Sequence, residues 1–119
     1  MSKNKVNIVN FLRGCEPRLE MDLEAPVTWQ KEITARYGLP VTWLLQYDAM
    51  LQDFYVDSMK SLPPGNEVGI WFEIPQQLCE ASGIPWRGRY SWDWHTHVAF
   101  SVGYTVEERR KLADELIRL

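Results

Sequence analysis

His95 and His97 stand one residue apart, and Asp93 lies two residues before them, in the stretch Trp92, Asp93, Trp94, His95, Thr96, His97. In an extended backbone alternate side chains point to the same side, so the two imidazoles and the carboxylate come into phase. Imidazoles placed this way suit a shared divalent metal such as zinc, with the carboxylate as an oxygen ligand or a base. Neighbouring histidines serve more often in hydrogen bonding or packing, and the spacing leaves both uses open. If a metal is held, Glu73 or Asp48 is the expected further ligand.

Carboxylates supply the second set of candidates. Val6 to Leu12 runs on to Glu16, Val41 to Tyr47 meets Asp48, and Val68 to Phe72 meets Glu73. An acid after each strand-like run is how a parallel α/β sheet or barrel gathers catalytic groups at the carboxyl ends of its strands. Glu73, Asp48, Glu16 and Asp93 are therefore candidates for a carboxylate pair acting as acid and base, chemistry that needs one raised and one ordinary pKa beside a scissile bond. The competing use is helix capping, and Asp48 fits it best as the N-cap of the helix that follows. Glu73 precedes Ile74 and Pro75, is less easily a cap, and ranks first. Arg13, directly after the first strand, suits a substrate carboxylate or phosphate, although pairing with Glu16 is the simpler use. Six tryptophans, among them Trp71, Trp92 and Trp94, suit either a core or platforms on which sugar rings stack.

These groups must be positioned by a chain of 119 residues, one domain's worth and about half of a complete eight-stranded barrel of roughly 250 residues. The expected fold is α/β, with parallel strands alternating with helices in a single domain over 1–119. Net charge is −3, with the basic residues scattered apart from Arg109, Arg110 and Lys111, so nucleic acid is not an expected partner. Cys15 and Cys79 are too few for a disulfide framework and fit no CxxC spacing, so they read as reduced thiols or buried fillers. No apolar run is long enough for a signal peptide or a membrane span, and the expected location is cytoplasmic. Neither a glycine-rich phosphate loop nor a GxSxG elbow is present.

Val6 to Leu12 reads as a first strand buried on both faces. Residues 13–26 read as an acidic loop, and Val27 to Tyr37 as a helix with Trp29, Ile33 and Tyr37 on one face and Gly38 as its stop. Val41 to Gln46 reads as a second buried strand, followed by a helix from Asp48 to about Ser61 with an apolar stripe of Met50, Leu51, Phe54, Tyr55 and Met59. Pro63 to Asn66 force a turn. Val68 to Ile74 reads as a third strand in which Gly69 permits close packing or a bulge. Pro75 to Ser82 reads as a short helix closed by Gly83, Ile84 to Trp94 as an ordered loop, and His95 to Val102 as a short strand or loop. Thr105 to Glu108 form a capping box that opens a last helix with Leu112, Leu116 and Leu119 inward.

Four segments, VNIVNFLRG (6–14), YGLPVTWLLQYDAM (37–50), LPPGNEVGIWFEI (62–74) and GYTVEERRKLADELIRL (103–119), resemble in order the first part of the glycoside hydrolase/deacetylase barrel superfamily, polysaccharide deacetylases in particular. Val41 to Leu45 resemble that family's second strand, Gly65 to Gly69 its GHEIG segment, and Thr105 to Glu108 its TPEE helix start. The resemblance implies a partial (β/α) barrel of the deacetylase type, with this chain as the N-terminal part of a longer domain. It departs at the catalytic positions: Leu12 and Arg13 stand where the family carries its two aspartates, and Trp71 where its first metal-binding histidine falls. His95 and His97 would then restore a metal site. The resulting expectation is a carbohydrate-active hydrolase, metal- or carboxylate-assisted, with catalytic Glu73, Asp48, Glu16 and Asp93, substrate-binding Arg13, Trp71, Trp92 and Trp94, and metal-binding His95 and His97. The alternatives are a noncatalytic carbohydrate-binding or structural domain and an inactive barrel fragment. A half barrel would expose a strand edge and an apolar face, so self-association is also expected.

Overall fold

Runs of β-branched and large apolar residues at 8–12 and 41–45 form the middle of the fold. The computed structural model describes residues 4–14, 20–88, 98–99 and 101–119. Strand β1 (Ile8–Leu12) leads to helix α1 (Glu24–Arg36), strand β2 (Val41–Leu45), helices α2 (Tyr47–Met50) and α3 (Asp53–Lys60), and strand β3 (Glu67–Ile70). A two-residue strand β4 (Ile74–Pro75), helix α4 (Gln76–Ser82), strand β5 (Val98–Ala99) and helix α5 (Val106–Arg118) complete the order. β1, β2 and β3 form a parallel sheet in that spatial order, and β4 pairs antiparallel with β5. Among the described residues the larger sheet is open, with β1 and β3 as its edges.

Register divides the sheet into two unlike faces. Ile8, Asn10 and Leu12 lie beside Val41, Trp43 and Leu45 on one face, and Val9 and Phe11 lie beside Thr42 and Leu44 on the other. On the first face Leu12, Val41, Trp43 and Leu45 pack with Val27 of α1 and with Tyr55 and Met59 of α3. Both helices that connect the parallel strands therefore cover the same side. Among the described residues the opposite face has no such layer, and Val9 and Phe11 are 43% and 54% exposed. The expectation that β1 is buried on both faces fails for this reason. Gly69 does permit a close approach, since a Cβ there would lie 2.8 Å from Leu44 Cδ2.

A second core joins Ile74, Leu78, Cys79 and Ile84 to Tyr104, Leu112 and Leu116, with Tyr47 linking it to the end of the sheet. Ile84 N–H donates to the Cys79 carbonyl at 2.9 Å past Gly83, whose φ of 65° closes α4. α5 opens with the expected capping box: Glu108 N–H donates to Thr105 Oγ1 at 3.2 Å, and Thr105 N–H donates to Glu108 Oε2 at 2.8 Å. Leu112 and Leu116 are buried as expected, whereas Leu119 is exposed.

Several boundaries and faces differ from the sequence reading. α1 begins earlier, at Glu24, because Asp22 Oδ1 accepts from Glu24 N–H at 2.9 Å and Ala25 N–H at 3.1 Å. Its inner residue is Val27; Trp29, Ile33 and Tyr37 are exposed on the outer side. The expected helix from Asp48 to Ser61 breaks at Gln52, which is extended (φ −113°, ψ 124°) and whose side-chain amide donates to the carbonyls of Gly14 at 2.9 Å and Asp48 at 3.1 Å. The third strand stops at Ile70 because Glu73 N–H folds back onto the Trp71 carbonyl at 3.1 Å, a tight turn that redirects the chain into β4. Among the described residues no helix is long and apolar enough to cross a membrane.

Candidate functional site

The carboxyl ends of β1, β2 and β3 deliver Arg13, Gln46 and Trp71 into one row. Gln46 N–H donates to the Leu12 carbonyl at 2.9 Å and Trp71 N–H to the Leu45 carbonyl at 2.8 Å, so the parallel ladder carries on for one residue beyond each strand. Alternation puts this row on the face that also carries Phe11 and Leu44. Phe11 and Trp71 meet there across β2, with ring centroids 4.3 Å apart and planes tilted by 55°.

Arg13 and Glu73 close the row. Arg13 Nε donates to Glu73 Oε2 at 3.2 Å, and Nη2 reaches Oε1 at 3.1 Å and Oε2 at 3.0 Å. The Glu73 side chain is 10% exposed and that of Arg13 29%. A guanidinium fork on a carboxylate of this burial is a charge-assisted bidentate pair at the rim of the fold. Gly14 makes the approach possible: a Cβ there would fall 2.6 Å from the Asp48 carbonyl oxygen, so any larger residue would push the chain after β1 off α2.

Two buried groups at this end carry polar atoms without a hydrogen-bond partner among the described residues. One is the Gln46 side-chain amide, 0% exposed, with both its nitrogen and its oxygen unmatched; the other is the Trp71 indole N–H. An orphaned buried donor or acceptor costs about 1–3 kcal/mol, and uncompensated groups of this kind concentrate at sites. Asp48 is also buried here, at the second position of α2. It is not the N-cap expected from the sequence: Gln46 holds that position and no side chain caps the helix.

A groove of about 460 Å³ opens along the outer edge of β1, between Asn10 to Arg13 on one side and Leu23 and Val27 on the other, and reaches Trp71. Its size is that of a small-molecule site. Its lining is mostly apolar, with Asn10, Arg13 and Gln30 as polar groups.

A second polar cluster lies in the other core. The Cys79 thiol donates to the Tyr104 hydroxyl oxygen at 3.5 Å, which also accepts from Arg87 N–H at 3.2 Å, and the Arg87 guanidinium stacks 4.8 Å from the Tyr104 ring centre. Burial pushes the Cys79 thiol up, away from a reactive thiolate, and pushes the Tyr104 hydroxyl up to about 12. Arg87 also forks onto Glu108 at 2.6 and 2.9 Å and, with the Thr105 backbone N–H, holds that carboxyl down at about 2. These contacts tie the cluster together within the fold, and it serves the packing of α4 on α5.

Of the residues expected from the sequence to form a site, the structure brings Arg13, Trp71, Glu73 and Asp48 to one end of the sheet. Arg13 pairs with Glu73, across the sheet, while its expected pairing with Glu16 falls outside the described residues. Glu16, Asp93, Trp92, Trp94, His95 and His97 lie outside the described residues. Among the described residues no three His, Cys, Asp or Glu side chains stand close enough to hold a metal ion. Glu73, expected as a further metal ligand, has both oxygens on Arg13. Phe11, Gln46 and Gln30 were not anticipated; strand alternation from Leu45 could have found Gln46, but the uncovered face of the sheet leaves no mark in the sequence. No family model matches the chain, and neither does any curated protein or solved structure.

Proposed function

We propose that this chain binds carbohydrate at the carboxyl end of its parallel sheet, as a binding domain without hydrolytic activity of its own. The observation that carries this reading is the aromatic pair: Phe11, more than half exposed, and Trp71 meet at 4.3 Å beside a groove that also holds the Arg13 guanidinium. Sugar rings present C–H faces to such surfaces and hydroxyl groups to the polar side chains at their border. Arg13, Asn10 and Gln30 supply donors and acceptors at that border.

Hydrolysis is the second reading, favoured by the burial of two carboxylates, Asp48 and Glu73, at successive strand ends. Against it, the acid ranked first as a catalyst faces a guanidinium with both oxygens and is not presented to a scissile bond. The finer fold, a partial (β/α) barrel of the deacetylase type, is part of the proposal. It is supported by α1 and α3 covering one face of consecutive parallel strands, as barrel crossovers do, and by polar groups at the carboxyl ends. Cytoplasmic residence is likewise proposed, in keeping with the free buried thiol of Cys79.

The experiment is titration of the labelled protein with soluble oligosaccharides, followed by the backbone and side-chain resonances of Phe11, Arg13 and Trp71, with release of acetate and reducing ends assayed in parallel. Binding at those three residues without product supports the domain. Product formation that is lost in Glu73→Gln or Asp48→Asn supports the hydrolase, and metal content measured on the same samples reports whether His95 and His97 hold an ion.

A further inference from the structure

We infer that the outer edge of β1, unpaired among the described residues, is an interface with a second copy of this chain, formed by antiparallel pairing of β1 with the partner's β1 about a two-fold axis at Asn10. This goes beyond the carbohydrate reading and does not rest on it; because the pairing covers Phe11 and fills the groove beside β1, a second copy and a sugar compete for that surface.

The direction of the backbone groups comes first. Gln46 N–H donates to the Leu12 carbonyl, so Leu12 faces β2 with its peptide groups, and by alternation Asn10 and Ile8 do the same. Val9 and Phe11 therefore aim their N–H and C=O groups outward from the edge of the sheet. No described strand pairs with them. Nothing on the edge discourages pairing, since Val6 to Leu12 contain no charge and no proline.

The same strand is complementary to itself. With Asn10 opposite the partner's Asn10, Val9 stands opposite the partner's Phe11, and each such pair exchanges two backbone hydrogen bonds, four in all. Asn10 then forms the close, non-hydrogen-bonded pair, with its side-chain amide facing the partner's. On the uncovered face Phe11 packs on the partner's Val9, covering two apolar side chains that are 54% and 43% exposed in the single chain. On the helical face the partner's Ile8 comes opposite Leu12 and enters the groove walled by Leu23 and Val27. Val6, 85% exposed, continues the partner's strand past the end of β1. A net charge of −3 per chain, none of it on β1, leaves this edge free of like-charge contacts.

A six-stranded sheet running from β3 to the partner's β3 is the result, with the Phe11 and Trp71 pairs of both copies on one face. The competing surface for a second copy is the exposed outer stripe of α1 at Trp29, Ile33 and Tyr37, which has no unpaired backbone to satisfy.

Light scattering behind a sizing column on the whole chain, over a range of concentrations, reads the mass against the 14.0 kDa single chain. A dimer is expected. Phe11→Pro removes the outward N–H and leaves the ladder to β2 intact, so it should weaken the dimer roughly ten- to a hundredfold, two of the four interchain bonds being lost. As a check that does not rely on a proline in a strand, Asn10→Cys in a Cys15→Ser background should cross-link two copies under mild oxidation. The close antiparallel pair puts the Cα atoms about 4.5 Å apart, within disulfide reach, whereas Val9→Cys in the same background should not cross-link. A monomer at every concentration overturns the inference. So does a dimer that cross-links no better at Asn10 than at Val9, or one that is dispersed by Trp29→Lys and indifferent to Phe11→Pro.

Discussion

Arg13 and Glu73 are sixty residues apart in the chain and meet across the end of the sheet, with Arg13 Nη2 3.0 and 3.1 Å from the two carboxylate oxygens. The pair ties the segment after β1 to the turn after β3 and fixes the rim on which the proposed site stands. Replacing either partner should cost about 1–3 kcal/mol, the range of a partly buried charge-assisted pair. Arg13→Ala should cost more than Glu73→Gln, because it strands the more buried group. Urea unfolding of the two single variants and the double variant measures the coupling. Independent, additive effects would show that the contact contributes nothing.

Gln46 carries a cost that its position explains and its packing does not offset. Gln46→Met keeps the volume and removes both unmatched polar atoms, so the folded state should gain about 1–3 kcal/mol. Thermal or urea unfolding decides this, and a loss of stability would mean that the amide has a partner in the folded protein.

Asn66 is the buttress at the opposite end of β2. Its Oδ1 accepts from Val41 N–H at 3.2 Å and from the indole N–H of fully buried Trp43 at 3.1 Å, and its Nδ2 donates to the Pro63 carbonyl at 3.0 Å. Asn66→Ala leaves the indole N–H without its acceptor and should destabilise by about 1–3 kcal/mol, whereas Trp43→Phe in the Asn66→Ala background should cost less than it does alone. Equal costs in both backgrounds would contradict the link.

Acid sensitivity should centre on Glu108. Its carboxyl is lowered from 4.5 to about 2, first by the hydrogen bonds from Arg87 and then by the Thr105 backbone N–H. The unfolded chain takes up this proton more readily than the folded one, so the contribution is complete above about 4.5 and disappears as pH falls towards about 2. The melting temperature should drop through that window, and Glu108→Gln should flatten the drop while lowering stability at neutral pH. A carboxyl resonance of Glu108 that titrates near 4.5 in the folded protein would contradict the assignment.

The order of strands and helices was legible because each element carries its own signal: the apolar runs at 8–12 and 41–45, the turn at Pro63 to Asn66, and the capping box at Thr105. What could not be read was which faces those elements bury. Trp29, Ile33 and Tyr37 follow helical spacing as well as Val27 does, yet only Val27 meets the sheet, since the choice of face is made by packing against Val41 and Tyr55. The breaks at Gln52 and Glu73 depend on hydrogen bonds to Gly14, Asp48 and Trp71 that form only once the chain has folded. Arg13 and Glu73 could each be nominated from their places after strands, but their pairing is a product of sheet order. Asn66 was read as a turn residue, and nothing local to it signals a bond to Trp43.

The most direct test of the carbohydrate reading is the dissociation constant for oligosaccharides, measured by calorimetry on the wild-type chain and on Trp71→Ala and Phe11→Ala. The account predicts saturable binding to the wild type that weakens by roughly five- to thirtyfold in each variant, as loss of a stacking surface worth about 1–2 kcal/mol requires. Binding that is indifferent to both substitutions, or no binding of any sugar to the folded wild-type chain, would contradict it.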